Sequence, residues 1–203
     1  DPGFVTITAA MPSGTGTKLF SVCGNVARPG NYEVTLGFPL KDLLYDMCGG
    51  PLPGRSFKAV IVGGSSVPVL TAAEADATVL DYEGCVAAGT MLGSAGTIVY
   101  DDSVDIVYQT MRLAHFYAHE ACAQCTQCRE GTAWTTRILE RILAGNGKPE
   151  DIGLLLDLAD NMTGKTICVL SDSCAAPVVS AIAKFRPEFE AYLNRTRQPA
   201  LAT

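Results

Sequence analysis

The sequence lacks long apolar runs and clusters of basic residues. None of its apolar stretches approaches the roughly 18 residues that a helix needs to cross a bilayer, so we expect no direct membrane insertion. Only 15 of the 203 residues are lysine or arginine, against 21 acidic residues, and the formal net charge is -6. Because phosphate neutralisation needs clustered cations, no nucleic-acid partner is expected. The first residues carry neither a basic nor an apolar leader segment, which predicts a soluble, unexported chain.

Charged residues are few, at 18%, whereas apolar residues reach 48% and occur throughout the chain. This balance excludes intrinsic disorder and predicts a packed core. The chain is long enough for two compact units. It contains 8 cysteines, many for an unexported protein, and most of them lie in its second half. Since disulfide scaffolds are typical of short exported chains, metal or redox use is favoured.

Residues 17–103 carry the signals of a small sheet. Strand patterns alternate with Gly, Pro and Asn turns, and an amphipathic helix begins at Pro39 and ends at Gly49 and Gly50. We expect strands at residues 18–23, 32–36, 57–62, 67–70 and 97–100. The order of hairpin, helix and further strands predicts a β-grasp-like sheet crossed by one helix. Residues 1–16 are rich in turn formers and predict a tether.

Residues 104–196 show helical spacing instead. Asp101, Asp102 and Ser103 are residue types that start helices, and four apolar stripes follow them. The stripes comprise Val104, Val107, Met111, Ala114 and Ala118; Trp134, Ile138, Leu139, Ile142 and Leu143; Ile152, Leu155, Leu156, Ala159 and Met162; and Val178, Ile182, Phe185, Phe189 and Tyr192. They predict a four-helix bundle, with a kink at Pro187 and a tail at residues 197–203. The predicted fold class is therefore α+β.

A Cys-x2-Cys-x2-Cys motif lies between the first two helical stripes. Cys122, Cys125 and Cys128 share one short loop, where two-residue gaps let three thiolates reach three irons of a cubane. The fourth iron needs a thiolate from elsewhere. Cys168, just after the third stripe, is the nearest candidate, and Cys174 is the alternative. The spacing predicts a 4Fe–4S cluster.

Other interpretations of these cysteines remain open. Structural zinc also takes four thiolates, although it usually uses two separate Cys-x2-Cys pairs. Unligated buried cysteines are common singly but uncommon at exact three-residue spacing in a loop. The other three cysteines, Cys23, Cys48 and Cys85, are expected to be small buried residues.

Charged side chains flank the motif. His119 and Glu120 precede it and are candidates for hydrogen bonds that tune a cluster, whereas a metal site built on His115 and His119 lacks a third ligand. Arg129 and Lys165 each lie near a cysteine in sequence, and a nearby cation favours a reduced, more negative cluster. An ordinary solvated charge is the alternative for both.

Residues 119–132, around the cysteine triplet, resemble the cluster loop of the NADH-binding, flavin-carrying subunit of respiratory complex I. Related subunits occur in NAD-linked hydrogenases and formate dehydrogenases. Further upstream, four segments resemble that subunit's ubiquitin-like, ligand-binding β-grasp (SLBB) segment, and two downstream segments resemble its closing helices. These are residues 21–26, 28–34, 63–66 and 91–94, followed by 164–168 and 185–189.

The resemblance implies that Cys122, Cys125, Cys128 and Cys168 hold one 4Fe–4S cluster. It implies that the cluster takes electrons from FMN and passes them to further clusters in an NADH dehydrogenase. In this family FMN and NAD bind to a preceding half, which does not precede Asp1 here. We therefore expect this chain to carry electrons without oxidising NADH by itself.

The resemblance also implies partners and a place in the cell. The expected partners are a 2Fe–2S subunit and a multi-cluster subunit, in a cytoplasmic position held at the inner membrane through partner subunits. One alternative is an electron-transfer role in a hydrogenase or formate dehydrogenase. The other is a non-redox, zinc-stabilised β-grasp module that binds a partner.

Overall fold

The computed structural model describes residues 16–195. The predicted tail, and all of the predicted tether except Gly16, lie outside the described residues. The fold is mixed α and β, and the chain divides into two compact units between Val104 and Asp105. Within residues 16–195, no helix combines the length and the apolar character that a membrane span requires.

The first unit contains seven strands and three helices within its described residues. They are β1 (Thr17–Gly24), β2 (Gly30–Thr35), β3 (Phe38–Pro39), α1 (Leu40–Asp42, continued as a π-helical segment Leu43–Met47), β4 (Phe57–Ile61), β5 (Leu70–Thr71), α2 (Ala72–Ala77), β6 (Val79–Leu80), α3 (Tyr82–Ala87) and β7 (Gly96–Asp101). The predicted helix after Pro39 is confirmed, and both Gly49 and Gly50 follow it with positive φ angles.

Five of these strands form one sheet in the order β2-β1-β7-β4-β5. β1 pairs antiparallel with β2 and parallel with β7. β4 pairs antiparallel with both β7 and β5, while β3 and β6 form a separate two-stranded sheet. The first and last strands of the unit are therefore neighbours inside the sheet.

One apolar core fills the first unit. Phe20 and Val22 of β1 belong to it, because alternate residues of a strand face the same side. Leu40 and Leu44 of the helix after β3 are in the same cluster. The alternation also corrects one prediction: Cys48 and Cys85 are buried as expected, but Cys23 is exposed because it lies next to inward-facing Val22.

Two short helices and one strand boundary differ from the predictions. The strand expected at 67–70 covers only Leu70–Thr71, since Pro68 has no N–H for a sheet ladder. α2 and α3 were not predicted. Each begins at a capping side chain: Thr71 accepts a hydrogen bond from the Glu74 amide at 3.3 Å, and Asp81 accepts one from the Gly84 amide at 2.6 Å.

Gly24 occupies the tightest place between β1 and β7. Its φ is +95°, and a Cβ atom there would lie 2.2 Å from the Val99 carbonyl oxygen. We expect Gly24→Ala to destabilise the first unit by about 3 kcal/mol, because left-handed strain adds to a backbone clash. Hydrogen exchange of peptides from β1 and β7 measures this loss of stability.

Gly54→Ala is the matched control for that substitution. Gly54 also has a positive φ, of +75°, but nothing lies within 4 Å of its added Cβ. It should lose only the backbone term of about 1 kcal/mol. Equal losses in the two variants would contradict the close approach of β1 and β7 as the cause.

The second unit contains four helices within its described residues. They are α4 (Ile106–Glu120), α5 (Thr126–Leu143), α6 (Asp151–Met162) and α7 (Leu170–Arg195). α5 packs against α4, α6 and α7, and α7 also packs against α4 and α6. The buried faces include Val107 and Ala114, Ile138 and Leu139, Leu155 and Ala159, and Val178 and Ile182.

Three details of this unit differ from the sequence patterns. α4 is capped by Asp105, whose Oδ1 accepts from the Tyr108 amide at 3.0 Å, rather than by residues 101–103. Trp134 is 48% exposed and lies at the edge of the predicted stripe. The interruption in α7 is at Phe185, where φ is -122° and ψ is 28°, two residues before Pro187.

Candidate metal centre

The cysteine triplet spans the turn from α4 into α5. α4 ends at Glu120, and α5 starts at Thr126 with Cys125 in the N-cap position. Cys128 is in the first turn of α5 and is buried, Cys125 is half-buried, and Cys122 is exposed. The loop thus presents one thiol from inside a helix and two from its approach.

Arg129 fixes the shape of this loop. Its Nη1 donates to the Ala123 carbonyl oxygen at 2.9 Å, and its Nε donates to Glu130 Oε1 at 2.9 Å. Ala123 has a φ of 64°, a left-handed conformation that costs a non-glycine residue about 1–2 kcal/mol. The guanidinium bond to its carbonyl holds the chain in this tight turn between Cys122 and Cys125.

Cys168 approaches the triplet from the segment between α6 and α7. The backbone amide of Ile167 donates to Cys125 Sγ at 3.4 Å, which joins the two loops directly. Cys168 is exposed, and so are the side chains beside it, at 83% for Ile167 and 73% for Val169. Little side-chain burial therefore holds the segment that carries this thiol.

The electrostatics of Cys128 report on the same convergence. Burial raises the pKa of its thiol, and the neighbouring thiols of Cys168, Cys125 and Cys122 raise it further. The structure thus brings all four predicted ligands into one electrostatic neighbourhood. Because like charges repel, four thiolates are stable together only if cations lie among them.

The spread of these sulfurs bears on which metal group the site fits. A tetrahedral zinc ion holds its thiolates about 3.8 Å apart, at Zn–S distances of about 2.3 Å. Within residues 16–195, no three His, Cys, Asp or Glu side chains converge closely enough to hold a single metal ion. A cubane binds one thiolate at each of four separated irons, so the four cysteines fit a 4Fe–4S cluster better than one ion.

Cys174 lies on α7 in a different environment. Its side chain is fully buried, and burial raises the pKa of its thiol to about 12, with a smaller contribution from Cys128. A thiol that resists deprotonation this strongly is a poor metal ligand, because the thiolate is the form that binds. The alternative fourth ligand is therefore less favourable than Cys168.

The flanking charges mostly bond to their own neighbours. His119 Nδ1 lies 3.0 Å from Glu120 Oε1, and Lys165 Nζ donates to the Asp160 carbonyl oxygen at 2.8 Å. His115 is exposed. In the described part of the chain, neither histidine belongs to a group that could hold a metal ion.

Sequence reasoning missed the polar residues that shape the Cys168 segment. Thr166 Oγ1 donates to the Cys168 carbonyl oxygen at 2.8 Å and lies 2.6 Å from Ser171 Oγ. Asp172 Oδ1 accepts from the Gly164 amide at 2.9 Å. The only sequence signal was the run of Thr, Ser and Asp around a cysteine, and this run does not reveal which side chain bonds to which.

Two family profiles match the chain, one in each unit. Residues 18–100 match the SLBB domain, and residues 108–192 match the NADH-ubiquinone oxidoreductase-F iron-sulfur binding region. The chain thus carries an SLBB domain followed by an iron–sulfur binding region.

Curated relatives extend this result across both units. The F subunit of the NADH-quinone oxidoreductase of Rickettsia bellii (strain OSU 85-389) is 43% identical over 184 residues, which cover 90% of this chain and 44% of the relative. The F subunit of the Mycobacterium tuberculosis (strain ATCC 25618 / H37Rv) enzyme is 46% identical over 179 residues, covering 88% and 40%. The chain belongs to the family of NADH-quinone oxidoreductase F subunits and spans less than half the length of these relatives.

Solved structures show the same similarity. A chain of an NAD+-reducing [NiFe]-hydrogenase in the H2-reduced state matches with a TM-score of 0.80 and 34% identity, covering 94% of this chain and 31% of that chain. The air-oxidized state of an NAD+-reducing [NiFe]-hydrogenase matches with a TM-score of 0.78 and 35% identity, covering 88% and 30%.

Proposed function

We propose that this chain transfers electrons through one 4Fe–4S cluster bound by Cys122, Cys125, Cys128 and Cys168, as part of an NADH dehydrogenase. The observation that carries the proposal is the convergence of these four thiols within the matched iron–sulfur region. A bound 4Fe–4S cluster takes up and releases one electron at a time.

Each part of the site has a distinct task in this proposal. The N-terminal turn of α5 presents the Cys128 thiol, and the turn at Ala123, held by Arg129, presents Cys122 and Cys125. The Ile167 amide donates to Cys125 Sγ, and hydrogen bonds to sulfur favour the reduced state of a cluster. Exposure of Cys122 and Cys168 leaves one side of the site open towards an electron donor or acceptor.

The proposed domain organisation follows the two units. We assign residues 17–103 to a β-grasp domain, because its sheet order, renumbered over the five strands, is 2-1-5-3-4 with the first and last strands parallel. We assign residues 104–196 to a helical bundle that holds the cluster. The contacts among α4, α5, α6 and α7 support this second assignment.

The proposed electron donor is FMN, reduced by NADH at a site outside the residues present here. Partner subunits with a 2Fe–2S cluster and with several clusters would take the electrons onward, in a cytoplasmic arm attached to the membrane through other subunits. The names of the curated relatives support this context. A second context, an NAD-linked hydrogenase, is supported by the similarity to the solved hydrogenase chain.

Iron and sulfide analysis of anaerobically prepared chain tests the proposal. We expect about four iron and four acid-labile sulfide per chain, a brown colour and a broad absorption shoulder near 400 nm. Reduction with dithionite should bleach this shoulder. A colourless chain that binds one zinc would instead support the non-redox, zinc-stabilised module.

A further inference from the structure

The Cys168 segment, residues 163–169, is held by polar contacts rather than by packing. Ile167 and Val169 on either side of Cys168 expose most of their side chains, so burial contributes little to its position. Thr166 Oγ1 donates to the Cys168 carbonyl oxygen at 2.8 Å. Its hydroxyl therefore spans the turn that contains Ile167 and Cys168.

Ser171 anchors Thr166 to the helical core. Its side chain is fully buried in the first turn of α7, and its Oγ lies 2.6 Å from Thr166 Oγ1 and 3.3 Å from the Met162 carbonyl oxygen at the end of α6. Because the single proton of Thr166 is donated to Cys168, Ser171 is the donor in the short contact. The two hydroxyls thus connect the turn to the ends of two helices.

The turn held in this way carries the amide that reaches the triplet. Ile167 N–H points at Cys125 Sγ, at 3.4 Å, and no side chain of Ile167 is packed to keep it there. If the turn relaxes, this donor is lost before any ligand is. A donor at a ligand sulfur stabilises the extra negative charge of a reduced cluster and raises its reduction potential.

We propose that Thr166 and Ser171 are positioning residues that set the reduction potential of the cluster by holding the Ile167 amide on Cys125 Sγ. The inference rests on the proposed function, since it needs a cluster on these cysteines. It assigns to two neutral hydroxyls a role that the flanking charges, bonded to their own neighbours, do not fill.

The test compares Thr166→Val, Ser171→Ala and Thr166→Ser in the cluster-loaded chain by potentiometric titration monitored by EPR. Thr166→Val keeps the shape of the side chain and removes its hydroxyl. We expect the reduced-to-oxidised ratio at a fixed ambient potential to fall about threefold to tenfold, the worth of one hydrogen bond, in Thr166→Val and Ser171→Ala. Thr166→Ser should restore the ratio of the unsubstituted chain.

Thr163→Val is the matched control. Thr163 lies in the same segment, but its hydroxyl donates to the Ala159 carbonyl oxygen at 2.8 Å, back into α6. Its substitution should lower thermal stability without shifting the potential. Loss of iron in Thr166→Val alone, with recovery in Thr166→Ser, would also support positioning.

The outcomes separate this inference from the proposed function. An unsubstituted chain that binds no cluster overturns both. A chain that binds the cluster, with an unchanged potential in Thr166→Val and Ser171→Ala, overturns the positioning role alone. Equal shifts or equal iron losses in Thr163→Val and Thr166→Val would do the same, because they would indicate general loosening of the segment.

Discussion

Replacing Cys168 with serine is expected to remove the cluster, whereas replacing Cys174 with serine should leave it in place. Iron should fall from about four per chain to near zero in Cys168→Ser, because only that thiol reaches the triplet through the adjoining Ile167 amide. Cys174 is fully buried, and burial raises its pKa to about 12. Iron analysis and the absorption shoulder near 400 nm measure the difference.

A second substitution guards this comparison against folding effects. Cys174→Ala avoids placing a hydroxyl in the apolar site of a buried thiol, so a fold loss specific to serine would not repeat in it. Both Cys174 variants should keep the cluster. Equal iron content in Cys168→Ser and in the Cys174 variants would refute Cys168 as the fourth ligand.

Asp151→Ala is expected to destabilise the second unit by about 3 kcal/mol. Asp151 is fully buried at the start of α6, where it accepts from Arg141 Nε at 3.2 Å and from the Lys148 amide at 2.8 Å. Removing one partner of such a pair leaves the other charge without compensation. The 35% exposure of the Arg141 side chain keeps the loss at the lower end of the range for buried pairs.

Urea unfolding followed by tryptophan fluorescence measures this loss. The chain has a single tryptophan, Trp134 in α5, so the signal reports on the second unit. Asp160→Ala, on the same helix, is the control. Its side chain is 87% exposed and lies 3.6 Å from Lys165, a surface pair worth under about 1 kcal/mol. Similar unfolding midpoints in the two variants would contradict a stabilising buried pair.

The candidate site was predictable where its signal is local. Cys122, Cys125 and Cys128 are readable because two-residue gaps constrain one loop. Cys168 follows from family resemblance rather than from spacing, since its distance along the chain does not specify a contact. The Thr166–Ser171 contact was out of reach, because it depends on how the ends of two helices meet.

The fold shows the same division between local and tertiary signals. The long helices follow from apolar periodicity, and the sheet strands from short β-rich runs. The two short helices after β5 were missed, although Thr71 and Glu74 form a capping box that is visible in the sequence. Trp134 was misplaced because a stripe does not define its own edge: in the structure Trp134 lines a cavity of about 310 Å³ together with Leu158 and Met162.

Because β1 and β7 pair in parallel at the two ends of the first unit, its sheet cannot close before Asp101 has left the ribosome. Until then, the β1–β2 hairpin has an unpaired edge that invites association with other nascent chains. Contacts this distant along the chain also slow folding, whereas helices joined by short connections assemble faster. Chaperone demand during synthesis is therefore concentrated on the first hundred residues.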